Sequence, residues 1–158
     1  MKATVNWQNN MVFIGKSASG FLVQMDSDPA FGGTNSGVRP MEMIALGLAG
    51  CTAMDVLSIL QKKRQQVTQF EVKVDAPRSV EYPQVFTSAV ITYIVTGRAV
   101  DETAVLRSIE LTATKYCPAQ IMLEQAFPMD LHYEIYEDEA DGNKRLTYQG
   151  AWQNMALG

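Results

Sequence analysis

Histidine and cysteine are scarce in this chain, with one histidine and two cysteines among 158 residues. That scarcity removes whole classes of chemistry. A zinc site built from His and Cys needs more ligands than are present, and Ser-His-Asp or Cys-His catalysis would rest on His132 alone. His132 falls on the polar face of a strand and reads as a solvated residue. There is no excess of basic residues either: 13 Lys and Arg stand against 17 Asp and Glu, for a net charge of −4. A phosphate-binding surface needs the opposite balance, so nucleic acid is not an expected partner. Gly15-Lys16-Ser17 resembles the end of a phosphate-binding loop, but the motif needs a glycine where Asn10 stands. The acidic run Glu137-Asp138-Glu139 with Asp141 reads as a solvated turn rather than a metal site. The opening residues lack the apolar stretch and small-residue cleavage site of a secretory signal. With two cysteines and no such signal, a reducing, cytoplasmic setting is expected. No cofactor and no metal are expected. Internal repeats and low-complexity tracts are also lacking.

What remains is 47% hydrophobic and 19% charged, ordinary for a soluble domain. One long hydrophobic run is present, Met43 to Leu60, diluted by Thr52, Asp55, Ser58 and two glycines. It fits a buried central helix better than a membrane span. Ahead of it, Ala3-Val5-Trp7, Met11 to Lys16 and Phe21-Val23-Met25 alternate with period two, separated by turn residues, and predict an antiparallel meander. Asp26 to Pro40 is rich in Gly, Pro, Asn and Ser and predicts a loop. Pro40 suits the first turn of a helix running to about Lys63, where Lys62, Lys63 and Arg64 meet the negative end of the dipole. Apolar residues surround that helix, so burial on most sides is expected. Strands are predicted from Phe70 to Ala76 and from Val85 to Val95. A helix then starts near Glu102 with Asp101 as N-cap, and a short one runs from Ala119 to Gln125. A last strand covers Leu131 to Ile135. The class is α+β, an antiparallel sheet packed on a long buried central helix. One domain spans 1–137, and 138–158 is a polar C-terminal extension without a legible pattern.

The two cysteines carry the functional reading. Cys51 lies mid-helix in Gly50-Cys51-Thr52-Ala53-Met54-Asp55, where a small core residue is one account of it. Cys117 precedes Pro118 and so fits an N-cap, where backbone N–H groups favour a thiolate; Lys115 is close in sequence. By local electrostatics Cys117 is the more acidic thiol.

The stretch from Asp28 to Thr52, with its Gly/Asn-rich loop, Pro40-Met41-Glu42 and Gly50-Cys51-Thr52, together with Tyr116-Cys117-Pro118, resembles the OsmC/Ohr family, and most closely its OsmC-like branch. The resemblance implies an intertwined homodimer with active sites at the subunit interface. It also implies reduction of organic hydroperoxides at the expense of a thiol reductant. On that basis Cys51 is the peroxidatic cysteine, becoming a sulfenic acid, and Cys117 is the resolving one, closing a disulfide. This order opposes the N-cap argument. The resemblance further implies an arginine–glutamate pair beside the reactive thiol, here Arg39 and Glu42. Arg39 precedes Cys51 by about 12 residues, roughly 18 Å along a straight helix, so it acts only if the loop folds back or a partner chain delivers it. Glu42 points to about the opposite helix face from Cys51. In the Ohr branch the glutamate falls one position earlier, where this chain has Met41. Asp55, one turn after Cys51, would disfavour a thiolate and is expected to pair with a cation or cap another element. Two other readings compete. One is a non-enzymatic dimeric module that binds a small ligand; the other is a thiol redox sensor that forms the same disulfide without turnover.

Overall fold

A computed structural model describes residues 1–140 and 142–153. Asp141 and residues 154–158 lie outside the described residues. The chain divides into two units, Met1–Ala45 and the remainder from Leu46.

The first unit is the expected meander. Strands β1 (Ala3–Asn9), β2 (Val12–Ser17) and β3 (Leu22–Met25) pair antiparallel in sequence order. The loop that follows is organised around one carboxylate. Asp26 accepts the N–H groups of Ser27, Thr34 and Ser36 at 2.7–2.9 Å and the hydroxyls of Thr34 and Ser36 at 2.7 and 2.9 Å. The Ser36 amide, then the Thr34 hydroxyl, hold its carboxyl far below the usual range. The glycines let the loop return onto β3. A Cβ on Gly37 would stand 2.7 Å from the Gln24 carbonyl, and one on Gly33 would overlap the Ser27 carbonyl.

Helix α1 (Pro40–Lys62) starts as the sequence predicts, with proline in its first turn. Its burial differs from the expectation. Only Leu48, Thr52, Val56 and Leu60 are buried, one stripe at a spacing of four. The helix is long and apolar enough to cross a membrane. Its buried stripe instead joins the core of the second unit, as in the central helix of a globular domain.

That core faces a four-stranded sheet, β4 (Gln66–Asp75), β5 (Ala89–Arg98), β6 (Met129–Asp138) and β7 (Lys144–Trp152), in that order. Two features correct the sequence reading. β5 and β6 run parallel, so this sheet is mixed. Residues 144–152, unpatterned in sequence, form edge strand β7 against β6. β5 is buried almost throughout because it is central, and it starts later than expected. Val85 and Thr87 bond back to Ser79 and Pro77 instead of entering the sheet.

A parallel pair requires a crossover. Here it is α2 (Glu102–Leu111), a single π-helical turn (Thr112–Tyr116) and α3 (Pro118–Leu123), slightly earlier than the predicted short helix. Asp101 caps α2 as predicted, accepting the Thr103 N–H at 3.0 Å. Val105, Ile109 and Ala113 of the crossover pack with Leu48, Val56 and Leu60 of α1 and with Ile91, Tyr93 and Val95 of β5. The crossover and α1 therefore share one core, and that brings the two cysteines together.

Candidate active site

Cys51 sits on α1 next to its buried stripe, and Cys117 sits at the junction of the π turn and α3. The Cys117 N–H bonds the Thr112 carbonyl at 2.9 Å, the long-range bond that defines the π turn. Such one-turn expansions recur at functional sites because they re-aim a side chain without breaking the helix. Pro118 then opens α3, and Cys117 is its N-cap, accepting the Gln120 N–H at 3.4 Å through sulfur.

The two sulfurs and a carboxylate oxygen of Asp55 lie within 4.8 Å of one another. Both cysteines are free thiols. Cys117 is wholly buried, whereas Cys51 is half-buried. Burial pushes the Cys117 thiol well above its ordinary range, against the lowering effect of the Gln120 amide; the hydrogen bond with Cys51 and the charges of Cys51 and Asp55 push it further. The N-cap geometry expected from Cys117-Pro118 is present, but desolvation outweighs it. The N-cap argument made Cys117 acidic, yet its depth pushes the thiol the other way. Lys115 gives no help, as it lies at the surface over the ring of Tyr116.

Beneath the sulfurs, Thr52 and Tyr93 join their hydroxyls at 2.5 Å, both fully buried. Burial raises the Tyr93 phenol, opposed by the Thr52 bond, and the charges of Cys117 and Asp55 reach it as well. Thr52→Val should leave the Tyr93 hydroxyl unpaired and cost about 1–3 kcal/mol. The double variant Thr52→Val/Tyr93→Phe should recover most of that loss, because no orphaned hydroxyl remains on either side. Urea unfolding of the unaltered protein and the two variants measures the difference.

Asp55 departs from expectation. It neither pairs with a cation nor caps a helix; its Oδ2 is buried with no hydrogen-bond partner among the described residues. Thr112 Oγ1 and Gln120 Oε1 share that state. Two sulfurs and a carboxylate are a ligand set that could hold a zinc ion with one coordination position left open.

Arg39 and Glu42 lie in the first unit and are joined there. Glu42, in the first turn of α1, accepts the Arg39 backbone N–H at 2.9 Å and Arg39 Nη1 at 3.1 Å. This is the returning half of a capping box. The two Arg39 bonds, backbone first, lower the Glu42 carboxyl. Arg39 Nη2 also bonds Asp28 at 3.0 Å and Asn35 at 2.8 Å. The pair that the shifted position of the glutamate put in question therefore exists within one chain. Sequence pattern gave Asp55 no role beyond its place beside Cys51, and it missed Tyr93. The spacing of four between Cys51 and Asp55 was the available signal for the first. Tyr93, in a strand, had none.

A profile of the OsmC-like protein family matches residues 33–132. Protein YhfA of Escherichia coli is 43% identical over 138 residues, which is 85% of this chain and 98% of that protein. Two solved structures share the fold at low identity. An OsmC-like protein from Mycoplasma pneumoniae has a TM-score of 0.73 at 16% identity, covering 85% of this chain and 95% of its own. An organic hydroperoxide resistance protein from Elizabethkingia anophelis has a TM-score of 0.61 at 16% identity, covering 84% and 92%.

Proposed function

Since the chain belongs to the OsmC-like protein family, we propose that it is a thiol-dependent peroxidase that reduces organic hydroperoxides. The observation that carries the reading is the placing of the two sulfurs within 4.8 Å of each other, one of them fully buried. A buried thiol held protonated is a poor first nucleophile, and a half-buried one within reach of solvent is a better one. Cys51 is thus the peroxidatic residue and Cys117 the resolving one. The Cys51 thiolate attacks the outer peroxide oxygen, releasing an alcohol and becoming a sulfenic acid. Cys117 displaces the hydroxyl as water, and an external thiol reductant reopens the disulfide. The chemistry requires neither metal nor flavin, and a thiol reductant is consistent with a reducing, cytoplasmic setting. The Elizabethkingia anophelis protein, named for resistance to organic hydroperoxides, has the same fold and agrees with this reading. Arg39, held by Glu42, is the cation assigned to steady the departing oxygen.

Steady-state consumption of cumene hydroperoxide with a dithiol reductant tests the proposal. Thiol counts before and after one equivalent of peroxide should fall from two to none. Unchanged thiols would favour a ligand-binding module; a disulfide without turnover would favour a redox sensor.

The active form is a homodimer. α1 leaves Leu46 and Met54 57% and 76% exposed, and the first unit leaves Trp7 and Phe21 64% and 80% exposed. Apolar side chains left in water along a helix and a sheet favour a second copy as their cover. Sedimentation at micromolar concentration should give a dimer; a stable monomer would remove the interface from the mechanism.

A further inference from the structure

We propose that Asp55 is a catalytic base and acid in disulfide closure, moving the proton from Cys117 to the departing hydroxyl of oxidised Cys51. This deepens the hydroperoxide-reductase reading and rests on it. Asp55 stands one helical turn after Cys51, and its carboxylate lies within 4.8 Å of both sulfurs. Its Oδ2 is buried and accepts no hydrogen bond from any described residue. A buried carboxylate is normally paired, because desolvating an unpaired one is costly. Here a carboxylate with an unpartnered oxygen lies within 4.8 Å of the one thiol that has to lose a proton before it can attack.

Among the described residues, no other group assigned to the pair's surroundings offers this service. On α1 the neighbours are Cys51 itself and Thr52, whose hydroxyl is engaged with Tyr93. From β5 the facing titratable group is Tyr93, a phenol held neutral by burial. The crossover contributes Cys117 and the Gln120 amide. His132, the single histidine, is exposed on β6.

The step balances. The Cys117 S–H bond breaks and its proton passes to the Asp55 carboxylate. The freed sulfur pair forms a bond with Cys51 Sγ while the Cys51 S–O bond breaks. The leaving oxygen takes the proton back from Asp55 and departs as water. A sulfenic acid and a thiol become a disulfide and one water, and Asp55 returns to its carboxylate. The same negative charge opposes the Cys51 thiolate in the first step. Its removal therefore has opposite effects on the two steps, which a purely structural role would not produce.

Rapid mixing of the full-length reduced protein with cumene hydroperoxide separates the steps, with a sulfenic-acid trap for the first and mass analysis of the disulfide for the second. In Asp55→Asn, sulfenic acid should form at least as fast as in the unaltered protein. Closure should slow by about 10²–10⁴, the usual contribution of a positioned acid–base group. The closure rate of the variant should then climb tenfold per pH unit between about pH 6 and 9, because only spontaneously formed thiolate attacks. Asp55→Glu should restore part of the rate and flatten the profile. Closure in the unaltered protein should also show a solvent deuterium isotope effect, a measurement that needs no variant to fold. Closure at the unaltered rate in Asp55→Asn, or the lack of an isotope effect, overturns the proposal. Failure of the unaltered protein to form any Cys51 sulfenic acid would instead overturn the peroxidase reading.

Discussion

Cys51→Ser should abolish peroxide consumption entirely, while Cys117→Ser should still reduce about one equivalent and then stall with a trappable sulfenic acid. The two cysteines differ by more than position. Cys117 is fully buried at the foot of the π turn, and its thiol is held protonated by desolvation and by the charges of Cys51 and Asp55. Serine at 51 leaves only that protonated thiol, which has neither the charge to attack peroxide nor a path to it. Serine at 117 leaves the Cys51 thiol in place and removes only its partner. The Cys117→Ser protein should lose one thiol per chain on peroxide treatment and form no intramolecular disulfide. The readouts are residual peroxide by a colorimetric assay and the mass of the trapped adduct. If instead Cys117→Ser were silent and Cys51→Ser accumulated the sulfenic acid, the N-cap effect at α3 would outweigh burial, and the roles would be exchanged.

Local pattern carried the meander, α1 and the α2 cap, because each depends on neighbours in sequence. Asp101 caps α2 and Pro40 opens α1 for reasons readable within a few residues. The parallel pairing of β5 with β6 depends on how the crossover returns, which periodicity does not encode. β7 escaped for another reason. At a sheet edge, with Lys144 and Arg145 at its start and mostly exposed residues after them, it lacks the apolar alternation that marks a half-buried strand. Helix α1 misled in the other direction: its all-round apolarity suggested all-round burial, yet the single chain covers one stripe. The same local reasoning assigned Cys117 the lower pKa, since an N-cap is visible in sequence and burial is not. Asp55 was legible as a neighbour of Cys51 by its spacing. That the carboxylate would lack a partner and face a second sulfur was not, because Cys117 arrives from the crossover.

Arg39→Ala should slow the reaction of Cys51 with peroxide by about 10²–10³, the usual consequence of losing one donor to a developing oxyanion, while the fold survives. The guanidinium is held from three sides, by Glu42, Asp28 and Asn35, at 2.8–3.1 Å. These partners fix its orientation in advance, which on the proposed role would lower the reorganisation needed when charge develops. They contribute little to stability, since the Arg39 side chain is 41% exposed and such ion pairs typically add less than about 1 kcal/mol. The helix start retains Pro40, and only the backbone N–H of residue 39 is needed for the Glu42 bond. Activity should therefore fall far more than the unfolding midpoint. Arg39→Lys should recover only part of the rate, because an ammonium is a point charge and cannot bridge Glu42 and Asp28 while presenting a further N–H to the peroxide. Glu42→Gln should give a smaller loss than Arg39→Ala, since it loosens the guanidinium without removing it. Single-turnover rates of sulfenic acid formation, read beside urea midpoints, decide the matter. An unchanged rate in Arg39→Ala would transfer the role to another cation, either Lys16, which is exposed on β2, or Arg78, which bonds Gln84 within its own loop.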